Sequence, residues 1–428
     1  MTDLATRPAP PGLRRAAPAL LGYAAVRAFG LLVLAVWSAA RDKSASTLLT
    51  ARWDSLWYTR VAELGYGYEV RLPNGDVHSN LAFFPLLPWL ERLLHTVTPL
   101  SYAGAGFAVS LLASLAAAWG IFAVADHVHG RLGEGGTGLP GDGGGRRVGV
   151  CAVLLWAVPP VGIVQSMAYT ESLFTALAAW SLYAVLTGRW LTAGTLALLA
   201  GLTRPVGIAV VAAVWTAAVV AFVREDAPTA PSAHRRSTPY GHGARPAGRA
   251  PSPARHPSHE GARVWRHALG MLLAPLGAAG YVLWVGHHTG RGPLGYLDVQ
   301  TGWRNGFDGG YAFARFVADT FTSFPSALAG LALIIGVALV VRLYLAGVRQ
   351  RQPLPLLVYT GVTTALALCA SSYFGSKPRL LLPAFPLLLP LALALARLRT
   401  SASALVVGGV GVASAVYGAF WLNGSGPP

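Results

Sequence analysis

Charged side chains are scarce in this chain: Asp, Glu, Lys and Arg make up 12% of its 428 residues, against roughly 25% in soluble domains. With 54% hydrophobic residues and a mean hydropathy of +0.50, this scarcity excludes a water-soluble protein. Cysteine is scarcer still. Cys151 and Cys369 both lie in apolar runs, read as small hydrophobes, and carry no information on redox compartment. No glycine fingerprint of the strand-loop-helix kind used to bind nucleotides is found, and no convincing internal repeat. His234, His242, His256 and His259 lack the paired spacing of a metal site. The first apolar run, 16–40, has no clear small-residue cleavage site and is too long for a signal peptide, so it reads as a retained span.

Acids are also few. Against 33 Lys and Arg there are 17 Asp and Glu, a net charge of +16. The basic stretch from Arg235 to Arg266 is spaced by Pro, Ser, Gly and His with few aromatics, a composition that argues against nucleic acid as partner. Basic loops on the cytoplasmic side of a membrane, facing anionic lipid, account for the charge better.

What the chain does have is apolar runs of roughly 17 to 25 residues, the length that carries a helix across a hydrocarbon core, and lipid-buried backbone must satisfy its own hydrogen bonds. The runs lie near 16–40, 103–126, 148–165, 169–187, 190–202, 205–223, 266–288, 324–348, 354–372, 379–396 and 402–422. The fold class is therefore all-α, a single polytopic domain over 1–428 with about eleven crossings. Placing the N-terminus inside and the C-terminus outside keeps Arg235, Arg236, Arg245, Arg249, Arg255, Arg263 and Arg266 in the cytoplasm. The segment 41–102 is then a long outer loop. The Gly-rich loop 127–147 and the basic loop 224–265 are cytoplasmic, flexible by composition, and expected to carry no chemistry.

The same topology brings the polar segments 41–101, 165–171, 203–205, 289–322 and 371–379 to the outer side, which points to one site assembled there. In the first, Trp53, Trp57, Tyr58 and Val61 recur at helical spacing and predict a short interfacial helix with its aromatic face toward lipid. Asp54 stands at its start, where a carboxylate serves as an N-cap or as a general base shielded by aromatics. Glu171 is either a dipole-favoured residue of a helix first turn or a substrate contact. Arg204, at the break Thr203-Arg204-Pro205, either snorkels to headgroups or binds an anion. Lys377 and Arg379 flank Pro378 as interfacial anchors or as a phosphate clamp. The loop 289–322, with Tyr296, Asp298, Gln300, Trp303, Arg304, Asn305 and Asp308, has the mixed character that suits sugar or headgroup recognition.

Taken in order, Arg52-Trp53-Asp54-Ser55 with Tyr58, Gly65-Tyr66, Ala82-Phe83-Phe84-Pro85-Leu86, Tyr169-Thr170-Glu171-Ser172, Thr203-Arg204-Pro205, and Pro378-Arg379 leading to Pro383-Ala384-Phe385-Pro386 resemble a family. It is the integral membrane mannosyltransferases related to the second mannosyltransferase of glycosylphosphatidylinositol anchor synthesis, within the GT-C class. The resemblance implies a cell-membrane glycosyltransferase that takes its sugar from a polyprenyl-phosphate carrier at the outer face. It implies Asp54 as catalytic base; Arg52, Tyr58, His78 and Glu171 are the candidate substrate contacts, and Arg204 and Arg379, with Lys377 in support, the candidate ligands of the donor phosphate. No second acid stands beside the Trp-Asp pair, which leaves a divalent metal open, and no other cofactor is assigned. Besides the carrier, the expected partners are membrane lipids and an acceptor that is a lipid, a glycan or a protein. The rival readings are a transporter or flippase of a lipid or lipid-linked sugar, another lipid-linked glycan transferase, and a non-catalytic membrane scaffold.

Overall fold

The computed structural model of the chain describes residues 12–132, 143–226, 257–371, 373–424 and 426. Among the described residues its elements are helices apart from one antiparallel hairpin, β1 (Glu69–Arg71) with β2 (Val77–Ser79), in which Val70 faces His78, and an isolated bridge between Phe307 and Ala370.

Helix α1 (Leu13–Ala39) is followed by the short α2 (Ala45–Thr50), α3 (Asp54–Leu64), the hairpin and α4 (Leu86–Val97). The bundle continues with α5 (Tyr102–Leu132), α6 (Gly143–Ala157), α7 (Thr170–Leu186), α8 (Trp190–Gly201), α9 (Ile208–Asp226), α10 (Pro257–Leu273) and α11 (Leu276–His288). The loop 289–322 contains α12 (Gly295–Gly302) and α13 (Tyr311–Thr320). The last part comprises α14 (Phe324–Arg349), α15 (Leu354–Cys369), the single turn α16 (Lys377–Leu380), α17 (Leu389–Arg397) and α18 (Thr400–Leu422). The predicted loop 127–147 is thus helical up to 132 and from 143, and 224–265 is helical up to 226 and from 257. The remainders, 133–142 and 227–256, fall outside the described residues.

Every predicted apolar run forms helix, but not every one is a straight crossing. Among the described residues six helices are long and apolar enough to span a membrane, or eight if each of two bent pairs counts as one. Helix α6 stops at Ala157 and turns by 91° into a 3₁₀ segment, Pro160–Ser166; the segment around α16 turns by 76° into α17. Prolines produce both bends, because Pro159, Pro160, Pro383 and Pro386 lack the N–H that would continue the ladder. Helices α7, α8 and α15, of 17, 12 and 16 residues, are shorter than a 20-residue crossing. Length and composition therefore support six to eight spans rather than eleven.

The core lies between α5, α6 and α7, around Phe122, Trp156 and Phe174 with many alanines. Small residues set the close approaches, as expected where lipid gives no hydrophobic drive to helix association: a Cβ on Gly194 of α8 would collide with Gly270 of α10. Arginines mark one end of the bundle. Arg15 pairs with Asp126 at 2.8 Å, Arg146 donates to the Arg15 carbonyl, and Arg147 donates to Leu398 O. At the other end, Lys43 donates to Asn423 O, and Arg52 to Leu422 O and Gly424 O. The segment 41–101 lies at that second end.

Candidate functional site

Asp54 opens α3 through an unusual backbone. Trp53, immediately before it, has φ +51°, a left-handed value that is an outlier for a bulky residue. Its indole packs against the cluster of Leu34, Leu49, Met167 and Tyr169, and the Arg52 guanidinium lies 4.0 Å from its ring centroid. The turn is thus held by packing, and it aims Asp54 away from its own helix. The N-cap residue is Trp53 and no side-chain cap bond is made, so the capping reading of Asp54 is replaced by another: its Oδ2 lies 2.8 Å from Arg379 Nη2.

Arg379 also places Nε 3.3 Å from Glu171 Oε1, and the same oxygen lies 2.6 Å from Arg204 Nη1. Asp54, Arg379, Glu171 and Arg204 therefore form one continuous network, drawn from four segments separated in sequence. Glu171 sits in the first turn of α7 with its side chain 2% exposed; Arg379 is 11% exposed and Asp54 30%. Arg204 is extended because Pro205 follows it, and this carries the guanidinium off the end of α8 toward Glu171. The Tyr169 ring lies 5.0 Å from the Arg379 guanidinium carbon, a cation–π contact that the sequence reading did not assign. Its only sequence signal was an aromatic two positions before an acid.

The remaining expected site residues lie elsewhere or act differently. Tyr58 is buried, and its hydroxyl lies 3.1 Å from Thr170 Oγ1, so it pins α3 to the start of α7. Burial, with Asp54 close by, pushes its phenol above the usual value. Lys377 donates through Nζ to the carbonyls of Ala367, Leu368 and Ala370 at 2.9, 3.2 and 2.7 Å, beneath the rings of Phe313 and Phe374. Its three N–H groups are all engaged by the C-terminal end of α15. Arg52 is likewise committed to the end of α18, so it braces the loop rather than facing the network. His78 stacks on Trp303 at 4.0 Å between centroids. Partial burial there lowers its pKa below the usual histidine value.

The predicted interfacial helix exists as α3, but its aromatic face meets protein rather than lipid. Trp57 packs on Phe83, Tyr68 and Trp303. Trp303 donates to Ser79 O, Gln300 to Ala82 O, and Arg304 pairs with Asp76 at 2.6 Å. The loop 289–322 is therefore a clamp on the segment 41–101. Asp308 accepts from the backbone N–H of Ala312 and Gly310, which caps α13 and lowers its carboxyl pKa.

Helix α4 touches the segments that carry Asp54, Glu171 and Arg204. Leu86 N donates to Leu202 O, two residues before Arg204. Arg92 donates to Ala62 O and Glu63 O at the end of α3. Glu91, fully buried, lies against Gly106 of α5 and Ala168, where a Cβ at Gly106 would run into the carboxyl group. Neither of its oxygens has a hydrogen-bond partner among the described residues, and burial raises its pKa well above the usual carboxylate range. Such surroundings disfavour the charged form of an acid.

Among the described residues no three of His, Cys, Asp and Glu gather as a metal-binding group. In comparisons with known proteins, no family model matches the chain and no curated protein matches it.

Proposed function

We propose that this helical membrane protein is a glycosyltransferase that moves a hexose, mannose by the motif resemblance, from a polyprenyl-phosphate carrier to an acceptor hydroxyl at the outer membrane face. The observation that carries this reading is the Asp54–Arg379–Glu171–Arg204 network. It unites one partly exposed carboxylate with two guanidinium groups, at the end of the bundle opposite Arg15, Arg146 and Arg147. In this reading the N-terminus is cytoplasmic. Helices α7, α8 and α15 also cross, packed among longer neighbours where they need not match the lipid thickness, which completes eleven crossings.

Asp54 accepts the proton of the acceptor hydroxyl as that oxygen attacks the anomeric carbon from the face opposite the phosphate. The bond between the anomeric carbon and the phosphate oxygen breaks with its electron pair on the phosphate. A β-linked donor gives an α-linked product. Arg379 and Arg204 lie where they can meet charge that grows on the leaving phosphate, and charge that grows is what a pre-placed guanidinium stabilises selectively. Glu171 holds both cations in place. The outer position of the network favours transfer over transport, since transporters set their ion and substrate sites near the bilayer midplane.

The test is transfer from radiolabelled polyprenyl-phosphate-mannose to extracted membrane acceptors by the purified protein in lipid. Asp54→Asn keeps the shape and removes the base, and turnover is expected to fall roughly 10²- to 10⁴-fold. Equal turnover by both proteins would remove Asp54 from the chemistry.

A further inference from the structure

Arg379 stands between the proposed base and the proposed phosphate site, and the details of its contacts decide what it can do. A guanidinium carries five N–H donors in a rigid fork. Here Nη2 lies 2.8 Å from Asp54 Oδ2 and Nε 3.3 Å from Glu171 Oε1. Nε and Nη1 are both buried, and neither has a hydrogen-bond partner among the described residues. The fork is ion-paired with two acids, and donors remain for a third acceptor.

The two acids are held unequally. Glu171 is 2% exposed and also bound by Arg204 at 2.6 Å, so it is fixed from two sides. Asp54 is 30% exposed, has Arg379 as its ion-pair partner, and follows a backbone turn at φ +51° that packing keeps in an unfavourable region. Of the two contacts made by Arg379, the one to Asp54 separates more easily. The Tyr169 ring beneath the guanidinium offers a face along which it can shift without losing its cation–π contact.

We infer that Arg379 is a substrate-operated mask on Asp54: the phosphate of the lipid-linked donor takes Arg379 from the carboxylate and so frees the base once the donor is seated. The inference rests on the reading of Asp54 as base. Charge conservation supports it. Asp54, Glu171, Arg204 and Arg379 sum to zero, and a phosphodiester adds one negative charge. During transfer Asp54 becomes neutral by taking the acceptor proton, while the phosphate gains one negative charge as the diester becomes a monoester. The negative charge moves from the first partner of Arg379 to the second, with no net change in the site. A cation that exchanges partners in the same direction follows it.

The test uses the full-length protein in lipid nanodiscs and, as probe, polyprenyl phosphate without a sugar. Infrared difference spectra record the carboxylate band that disappears in Asp54→Asn, and probe binding is measured separately with radiolabel. The expected result is that the probe binds and shifts the Asp54 band. In Arg379→Gln the band should already stand at its shifted position, with probe affinity roughly 10- to 100-fold lower. Saturable probe binding to the parent with no movement of the Asp54 band would overturn the mask and leave the transferase reading intact. Failure of the parent to bind the probe at all would overturn both.

Discussion

Arg379 and Arg204 face carboxylates at one end of the bundle, whereas two other largely buried cations, Lys377 and Arg27, face backbone carbonyls where helices stop. Lys377 closes the end of α15. Arg27, inside α1, donates to Ala157 O and Gly162 O and so bridges the bend after α6. The orphan carbonyls of a helix end need donors, and a cation that supplies them is committed to closing that end. A cation in a network of acids has partners it can exchange. Two residues apart in sequence, Lys377 and Arg379 therefore meet different partners: one the carbonyls of a helix end, the other two carboxylates.

The largest expected effect tests that division at Arg379. Arg379→Gln should lower sugar transfer by about 10²- to 10³-fold, the range for losing one stabiliser of developing charge. Arg379→Lys, which keeps the charge without the fork, should fall between that variant and the parent in the same assay. Lys377→Met should behave in the opposite way, with a loss of about 2–3 kcal/mol in stability, read as a lower thermal midpoint in detergent. The donor KM of its folded fraction should not change. An altered KM with unchanged stability would place Lys377 back among the phosphate ligands.

A third prediction concerns Glu91, a buried acid with no ion-pair partner among the described residues. The unfolded chain ionises Glu91 in the ordinary carboxylate range, while the folded protein keeps it protonated to higher pH. The native state therefore holds the extra proton, and stability falls as pH rises from the ordinary range toward the raised value, by up to about 1.4 kcal/mol per pH unit. Glu91→Gln should flatten this decline and be the more stable protein at alkaline pH, as measured by thermal midpoints across pH. The smallest effect is expected at the surface clamp. Asp76→Asn removes the pair with Arg304, whose side chain is 68% exposed, and should change stability by less than about 1 kcal/mol.

Much of this architecture was legible in the sequence because it depends on local periodicity. Apolar runs marked the helices, Trp57, Tyr58 and Val61 marked α3, and Pro205 marked the break that extends Arg204. Asp54, Glu171, Arg204 and Arg379 were all visible as ionisable residues beside span ends, and the structure brings these four together. The 91° and 76° bends were not legible as bends, because a proline says that a helix is interrupted but not in which direction the chain resumes. Glu91 passed unnoticed, since an acid in an amphipathic stretch such as Leu86–Val97 looks solvated until α5 is packed over it. The partners of Lys377 and Arg52 were not legible either: they are carbonyls at helix ends, and carbonyls leave no mark in a sequence pattern.

By itself the sequence determined that the chain lives in a membrane, because the free energy of moving a segment into lipid is close to a sum over its own residues. It also determined which residue types stand near the ends of the runs. Only the tertiary structure decided which cation meets an acid and which meets a helix end. An ion pair depends on separations of a few ångströms between segments far apart in the chain, and in a low-dielectric interior such separations set both the strength of an electrostatic contact and its role.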